Sequence, residues 1–313
     1  MASVQLSLVV PCYNEEQVLL ETASRLASLL SALVDAQKIA ESSRIFFVDD
    51  GSKDRTWQLI EDAAAGNGYI SGIKLSRNRG HQVALLAGLL TVPGEIVISV
   101  DADLQDDLHA IEKMIDAHRD GARIVYGVRS SRNSDSWFKR STAEWYYTLL
   151  SKCGVEVVFN HADYRLMDRC AIDALSAFGE ANVFLRGLIP QLGFKTTTVY
   201  YQRDVRFAGK SKYTFRKMVA LAWDGVTSFS AVPLRLITAL GLLISLVSIG
   251  VSIWAIVIRV FTARAVPGWA STVIPMYFLG GIQLLSIGVI GEYVAKIYME
   301  SKRRPKFFIE KTV

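Results

Sequence analysis

The sequence is poor in the residues that staple small folds or hold structural metals. It has three cysteines, Cys12, Cys153 and Cys170, widely spaced and without a C-x-x-C pair, which argues against a disulfide framework and against a zinc site. Its four histidines form no i,i+4 pair and no Ser/His/Asp set is evident, so His81 and His161 read as structural. Neither G-x-G-x-x-G nor G-x-x-x-x-G-K-[ST] follows the first apolar run, which disfavours dinucleotide cofactors and P-loop nucleotides. The N-terminus, MASVQLSLVVPCYNEE, lacks a basic leader and its apolar run is cut short at Pro11, as in a first strand and not a signal peptide. Internal repeats and low-complexity linkers are also missing.

What is present is apolar and mildly basic. Hydrophobic residues make up 51% of the 313, and the net charge is +5. That balance suits nucleic acid, anionic lipid or a phosphorylated ligand without choosing among them. From residue 4 to about 128, short β-branched runs (VQLSLVV, RIFFVDD, YISGIKLS, EIVISVDAD, ARIVYGVR) alternate with helical patterns near 15–34, 54–65, 80–91 and 107–119. Near-continuous apolar strands with helices between them predict a doubly wound α/β domain with a mostly parallel sheet. Such sheets bind ligands beyond the carboxyl ends of their strands. Three strand ends carry polar clusters: PCYNEE, DDGSKDRT and DADLQDD.

The third cluster is the most charged. Asp101 and Asp103, two residues apart, project to one side if the strand persists that far. Paired carboxylates suit Mg²⁺ or Mn²⁺, which keep open positions for phosphate oxygens. Asp106 and Asp107 suit a helix start, where carboxylates meet unpaired amides. Asp49 and Asp50 end the second strand, and Ser52 and Asp54 fit turn and cap roles.

The C-terminal third changes character. Leu236 to Ile258 carries no charge, and at 1.5 Å per residue it reaches roughly 34 Å, enough to span a bilayer core. A second uncharged stretch runs from Ala265 to Gly291. The flanks KSKYTFRK and KIYMESKRRPKFFIEK are far more basic than the short loop between, which holds Arg259 and Arg264, so both ends are expected to face the cytoplasm. Two aromatic-basic segments, 135–152 and 214–230, fit helices packed on the sheet or lying in a membrane interface. Gly280, Gly281, Ser286 and Gly288 permit close helix contact, compatible with a homo-oligomer.

The motifs VVPCYNEE, FVDDGSKDRT, SRNRGHQVALLAG, DADLQDD, DYRLMDR and RFAGKSKYTF, in this order and followed by two apolar stretches, resemble those of the family 2 glycosyltransferases that load a sugar onto a polyprenyl phosphate. The bactoprenol (undecaprenyl phosphate) glucosyltransferase group is the nearer match and the dolichyl phosphate mannose synthases the more distant one. The resemblance implies a GT-A fold over 1–213, an amphipathic juxtamembrane helix over 214–232, two transmembrane helices within 233–294 (about 234–260 and 270–292), and a basic cytoplasmic tail over 295–313. It implies inverting transfer of a hexose, glucose from UDP-glucose above all, to undecaprenyl phosphate at the cytoplasmic face of a bacterial inner membrane. No nucleic-acid partner is implied.

By position, Pro11, Tyr13, Glu15, Asp50 and Arg77 match the nucleotide-sugar frame, and Asp101, Asp103 and Gln105 the metal and diphosphate motif, with Mg²⁺ or Mn²⁺ between Asp101 and Asp103. Relatives usually have Pro where this chain has Asp107, and both residues suit a first helical turn. Asp163 matches the position usually assigned as catalytic base. A phosphate monoester is nonetheless mostly dianionic at neutral pH, so Asp163 is equally suited to orienting the acceptor or an arginine. Arg206, Lys210 and Lys212 suit a lipid phosphate or the donor diphosphate, or form a basic patch on anionic lipid. Arg129, Arg132 and Arg165 are further phosphate candidates. The Q-x-x-R-W motif of processive polysaccharide synthases is absent. GDP-mannose or a modified aminosugar is the alternative donor, and a non-catalytic, membrane-anchored nucleotide-sugar scaffold the alternative of another class.

Overall fold

The structure, a computed structural model, describes residues 3–130, 161–180, 183–202, 232–261 and 269–313. The helical patterns over 135–152 and 214–230 lie outside these residues, as do Arg132, Arg206, Lys210 and Lys212.

The first 130 residues fold as their periodicity dictates. Strands β1 (Leu6–Cys12), β2 (Arg44–Asp49), β3 (Ile70–Leu75) and β4 (Ile96–Ser99) pair in parallel, with β1 between β2 and β4. Helices α1 (Leu19–Asp35), α2 (Thr56–Gly66) and α3 (His81–Thr91) connect them, and α4 (His109–Arg119) leads to β5 (Ile124–Arg129). Both β1 and β4 are buried along their whole length, which is why they read as unbroken apolar runs. In α1, Leu19, Ala23, Leu26, Leu30 and Leu33 recur at three- and four-residue steps and bury one stripe, while Glu21 and Arg25 pair on the wet face.

The remainder of the sheet was not legible as strands. After β5 come β6 (His161–Asp168), α5 (Arg169–Ser176), α6 (Leu185–Gln191) and β7 (Thr196–Tyr201). Among the described residues, eight strands form one sheet in the order β7-β5-β6-β4-β1-β2-β3-β8. Strand β6 enters between β4 and β5 and is antiparallel to both, so the sheet is mixed, though mostly parallel. An antiparallel strand begins at the margin where its parallel neighbours end, and this brings the start of β6 beside the end of β4, with Arg165 opposite Ser99.

Two apolar layers cover the sheet. On one face α1, α2 and α4 pack over Leu6, Leu8, Val10, Phe47, Ile98 and Leu166. On the other, α3, α5 and α6 pack over Val9, Val48, Val97, Tyr126 and Met167. The alternation within β1, with Leu8 and Val10 on one face and Val9 on the other, is the two-residue period of a strand.

Two long helices follow, α7 (Val232–Phe261) and α8 (Trp269–Ser301). They contain the described parts of both uncharged stretches and expose large apolar side chains, among them Leu242, Trp254, Phe278 and Leu284. Among the described residues one segment, Phe278–Ser301, is long and apolar enough by length and composition to cross a membrane, and Val232–Ile244 is a shorter apolar helix. Within 295–313, the first residues finish α8, and β8 (Ile309–Thr312) pairs antiparallel with β3 at the sheet edge. With three basic residues among Lys302–Arg304 and a Pro at 305, its strand signal is only four residues long.

Helix α3 crosses β1 so closely that a methyl on Gly88 would run into Val9 and Val48, both fully buried. Gly88→Val is therefore expected to destabilise the fold by about 1–3 kcal/mol, read as a lower denaturation midpoint, because a packed core has no room to yield.

Candidate active site

The direction of strand succession reverses between β1 and β4, and the crevice beyond their carboxyl ends is where an open α/β sheet binds ligands. The loops after β1 and β2 are stitched to each other across it. The Asn14 amide donates to Ser52 Oγ at 3.0 Å, the Lys53 amide to Asn14 Oδ1 at 2.9 Å, and the Glu15 amide to Thr56 Oγ1 at 2.9 Å. Asp54 accepts from the Thr56 amide and hydroxyl, the turn role its sequence context suggested. These bonds fix the backbone carrying Pro11, Tyr13 and Glu15.

Asp50 faces the loop after β3. Its two carboxylate oxygens accept the Arg79 and Gly80 amides at 2.7 and 2.8 Å, at the entrance to α3. Burial pushes the Asp50 carboxyl up, against the two amide bonds that pull it down. Gly51 makes the approach feasible: it has φ +66°, and a Cβ there would lie 2.6 Å from the Asn78 nitrogen. The exposed Arg77 is thereby held over the end of β2.

Beyond β4 the strand stops at Ser99, so Asp101 and Asp103 stand on a turn and not on a continuing strand. Thr22 Oγ1 of α1 anchors that turn by donating to the Ala102 carbonyl at 2.9 Å, and the Gln105 amide donates to Asp103 Oδ1 at 3.3 Å. Leu104 is buried at φ 55°, a left-handed conformation uncommon for a residue of its type and typical of over-determined functional turns. Burial pushes the Asp101 carboxyl up to about 6; His81 opposes the shift, while Asp106, Asp163 and Asp103 add to it.

Asp163 is the hub of the site. Its Oδ1 accepts from Arg165 Nη2 and, at 3.2 Å, from Arg186 Nε; its Oδ2 accepts from Arg186 Nη2 at 3.1 Å and Gln82 Nε2 at 2.9 Å. His81 Nε2 lies 3.5 Å from Asp163 and 3.7 Å from Asp101, bridging the two carboxylates. Burial pushes the Asp163 carboxyl up, but Arg186, the His81 contact and Arg165 outweigh it and hold it well below the usual range. For His81, burial disfavours the charged form, and Asp163 and Asp101 overcome it and raise its value. A carboxylate so richly supplied with donors is a weak proton acceptor and a strong anchor for cations. Ser99 Oγ, on β4, donates to the Asp163 carbonyl and closes the junction of the two strands.

A second cluster lies on the opposite face of the sheet. Tyr201 donates to Asp106 at 2.5 Å, Arg129 Nε donates to the Tyr201 hydroxyl at 3.3 Å, and Arg129 Nη2 lies 3.6 Å from Asp106. Asp106, expected at a helix start, is buried; Asp107 fills that role, accepting from the His109 amide at 2.9 Å. Tyr164 stacks edge-on against Tyr201 and donates to the Asp107 carbonyl at 3.0 Å. The turn carrying Asp101, Asp103 and Gln105 is thus braced at its far end.

Among the described residues no three His, Cys, Asp or Glu side chains meet as a metal cage. The donor set nonetheless fits Mg²⁺ or Mn²⁺: two carboxylates on one turn, with surplus negative charge around Asp101, suit an ion completed by phosphate oxygens. The structure brings together Asp101, Asp103, Gln105 and Asp163, sets Asp50 and Arg77 on the neighbouring loops, and places Arg129 behind the turn. Arg165 has no exposed surface and meets the site through Asp163. Sequence reasoning missed Gln82, Arg186 and Tyr201 and treated His81 as structural. For His81 and Gln82 a signal existed, since they open a helix directly after a glycine at a strand-end loop; Arg186 carried none.

Asp163→Asn is expected to leave the buried Arg165 charge uncompensated and to cost about 3–5 kcal/mol, measured by thermal or denaturant unfolding. Asp163→Asn combined with Arg165→Met is expected to recover part of that loss, because the orphaned charge goes with it.

The chain is similar to several known proteins. The model of "Glycosyl transferase family 2" matches residues 7–176. The Bacillus subtilis protein named uncharacterized glycosyltransferase YkoT is 47% identical over 97% of this chain and 91% of its own length. The "Bactoprenol glucosyl transferase" of Shigella phage SfV is 38% identical over 98% of each. Among solved structures, the mannosyltransferase PcManGT from Pyrobaculum calidifontis, in complex with GDP-Man and Mn2+, covers 95% of this chain and 85% of its own, with a TM-score of 0.51 and 16% identity, a likeness of fold. From the sheet, the strand-end carboxylates and the match over more than half its length, the chain belongs to glycosyl transferase family 2.

Proposed function

We propose that this chain transfers a hexose, glucose from UDP-glucose by preference, to undecaprenyl phosphate with inversion at the cytoplasmic face of a bacterial inner membrane. The observation that carries the reading is the crowding of carboxylates around Asp101 at the margin between β1 and β4, in a chain whose relatives include bactoprenol glucosyl transferases. The loops bearing Pro11, Tyr13, Glu15, Asp50 and Arg77 would hold the nucleotide, and Gln105 the diphosphate. A divalent cation at Asp101 and Asp103 would neutralise charge building on the departing nucleoside diphosphate.

The acceptor phosphate is a dianion at neutral pH and needs no proton removed. The low-lying Asp163 carboxyl fits that chemistry, holding Arg186 in place and remaining ionised throughout the working range. Arg129, Arg165, Arg206, Lys210 and Lys212 complete the proposed phosphate-facing cations, Arg165 through Asp163. In this reading α7 and α8 form a two-span hairpin. The exposed Leu242, Trp254, Phe278 and Leu284 support it, since an apolar surface of that extent is costly in water. The basic flanks of the hairpin favour both termini on the cytoplasmic side.

Purified protein given Mg²⁺, undecaprenyl phosphate and a panel of UDP- and GDP-sugars is expected to yield a lipid-linked hexose, identified by the mass of the product. Absence of product with every donor would refute the reading. Asp101→Asn and Asp103→Asn are each expected to lower turnover by about 100-fold or more. Acid should act through Asp101. With its value near 6, Asp101 is mostly ionised at pH 7 and mostly protonated at pH 5, so the Mg²⁺ concentration for half-maximal rate should rise as pH falls across that window.

A further inference from the structure

The loop Ser76–Gly80 is exposed at every residue, so packing does little to set its shape. Hydrogen bonds do so instead, from two directions. From inside, Asp50 accepts the Arg79 and Gly80 amides. From outside, the chain beyond α8 takes hold: Arg79 Nε donates to the Lys306 carbonyl at 2.7 Å, and the Ser76 amide donates to the Phe308 carbonyl at 2.9 Å. The same Lys306 donates from Nζ to the Phe178 carbonyl at 2.7 Å, on the connection from α5 to the helix that bears Arg186. Phe307, between these two anchors, packs into the apolar layer under α3.

The hold is maintained by the strand that follows. In β8, Thr312 stands opposite Ile73 and Lys311 opposite Lys74, and Gly72 and Val313 exchange amide bonds at 2.8 and 3.0 Å. Lys74–Glu310 and Lys311–Glu61 pair along the edge. Removing β8 would leave Lys306 and Phe308 with only their loop contacts to keep them in place.

We infer that the segment Pro305–Val313 is a positioning element for nucleotide binding: it clamps the Ser76–Gly80 loop against Asp50 and so presets Arg77 and the entrance to α3 for a nucleoside diphosphate. The inference rests on the nucleotide-sugar reading of the crevice. It makes the stretch after the second apolar helix a support of the donor site, acting through the Ser76–Gly80 loop.

The full chain in detergent or nanodiscs provides the test, with UDP as the calorimetric probe and UDP-glucose as the donor. Arg79→Met and deletion of residues 309–313 are compared with wild type, and Lys113→Ala, a change at an exposed residue of α4, serves as reference. Both test variants should weaken UDP binding and raise the donor KM by about threefold to tenfold, the loss of a hydrogen bond or two, with kcat within twofold and acceptor KM unchanged. Amide exchange at residues 76–80 should quicken in both, and Lys113→Ala should match wild type. Unchanged UDP affinity and exchange in both variants would overturn the inference, as would a fall in melting temperature alone. Weakened binding in Arg79→Met without an equal effect of the deletion would assign Arg79 a direct contact and overturn it too. Wild-type protein that binds no UDP would sink the functional reading and the inference together; normal wild-type binding with indifferent variants would sink the inference alone.

Discussion

A guanidinium sealed inside a β-sheet requires an anion beside it, and the arrangement of this site depends on that requirement. Arg165 has no exposed surface, and burial pulls its value down even with Asp163 alongside. Asp163 therefore has to stay charged, and a charged carboxylate in that position attracts every donor within reach: Arg186, Gln82 and His81. They arrive from two elements, Arg186 from α6 and His81 and Gln82 from the start of α3, so one ion pair ties β6 to the helices over it. Buried pairs of this kind seldom add net stability over an apolar core, and their value here is in orientation.

Topology decides what that hub stands next to. Were β6 parallel to β4, its first residues would lie at the opposite margin of the sheet, a full strand length from Asp101. Running antiparallel, it delivers Asp163 and Arg165 to the same margin as the turn after β4. The turn is held at two points from the α1 face of the sheet, by Thr22 from α1 and by the Tyr201–Asp106 bond from β7. A crevice made largely of carboxylates is held open by backbone amides and hydroxyls, which leaves its surplus charge available to a cation.

The first half of the fold was legible because a buried parallel sheet writes itself as apolar runs at regular intervals, and Val9, Val48 and Val97 obey that pattern. The strand-end aspartates were legible for the same reason: charge abutting such a run has few structural explanations. What stayed hidden depends on long-range pairing. β6 contains His161, Asp163, Arg165 and Asp168, too polar to read as a strand, and its buried charges are paired, Asp163 with Arg165 and Asp168 with Arg123. β8 is short and exposed, and follows a basic stretch. Arg186 lies in a helix of seven residues with a proline inside it, where neither periodicity nor motif marks the side chain that matters. The projected alternation of Asp101 and Asp103 along a strand also yielded to a turn, since β4 stops at Ser99, before either aspartate, and Leu104 after them is left-handed.

The edge partnership of β3 and β8 bears on how the molecule is made. Lys74 and Glu310 are 236 residues apart, and every apolar helix is synthesised between them. Throughout that interval β3 offers a bare row of amides and carbonyls, a template on which another nascent chain could pair. Lys74 on that edge carries a charge that discourages such pairing until its own partner emerges. The order of translation thus leaves the sheet incomplete until both long helices have been laid down, so that closing of this edge is the last step of the molecule's maturation.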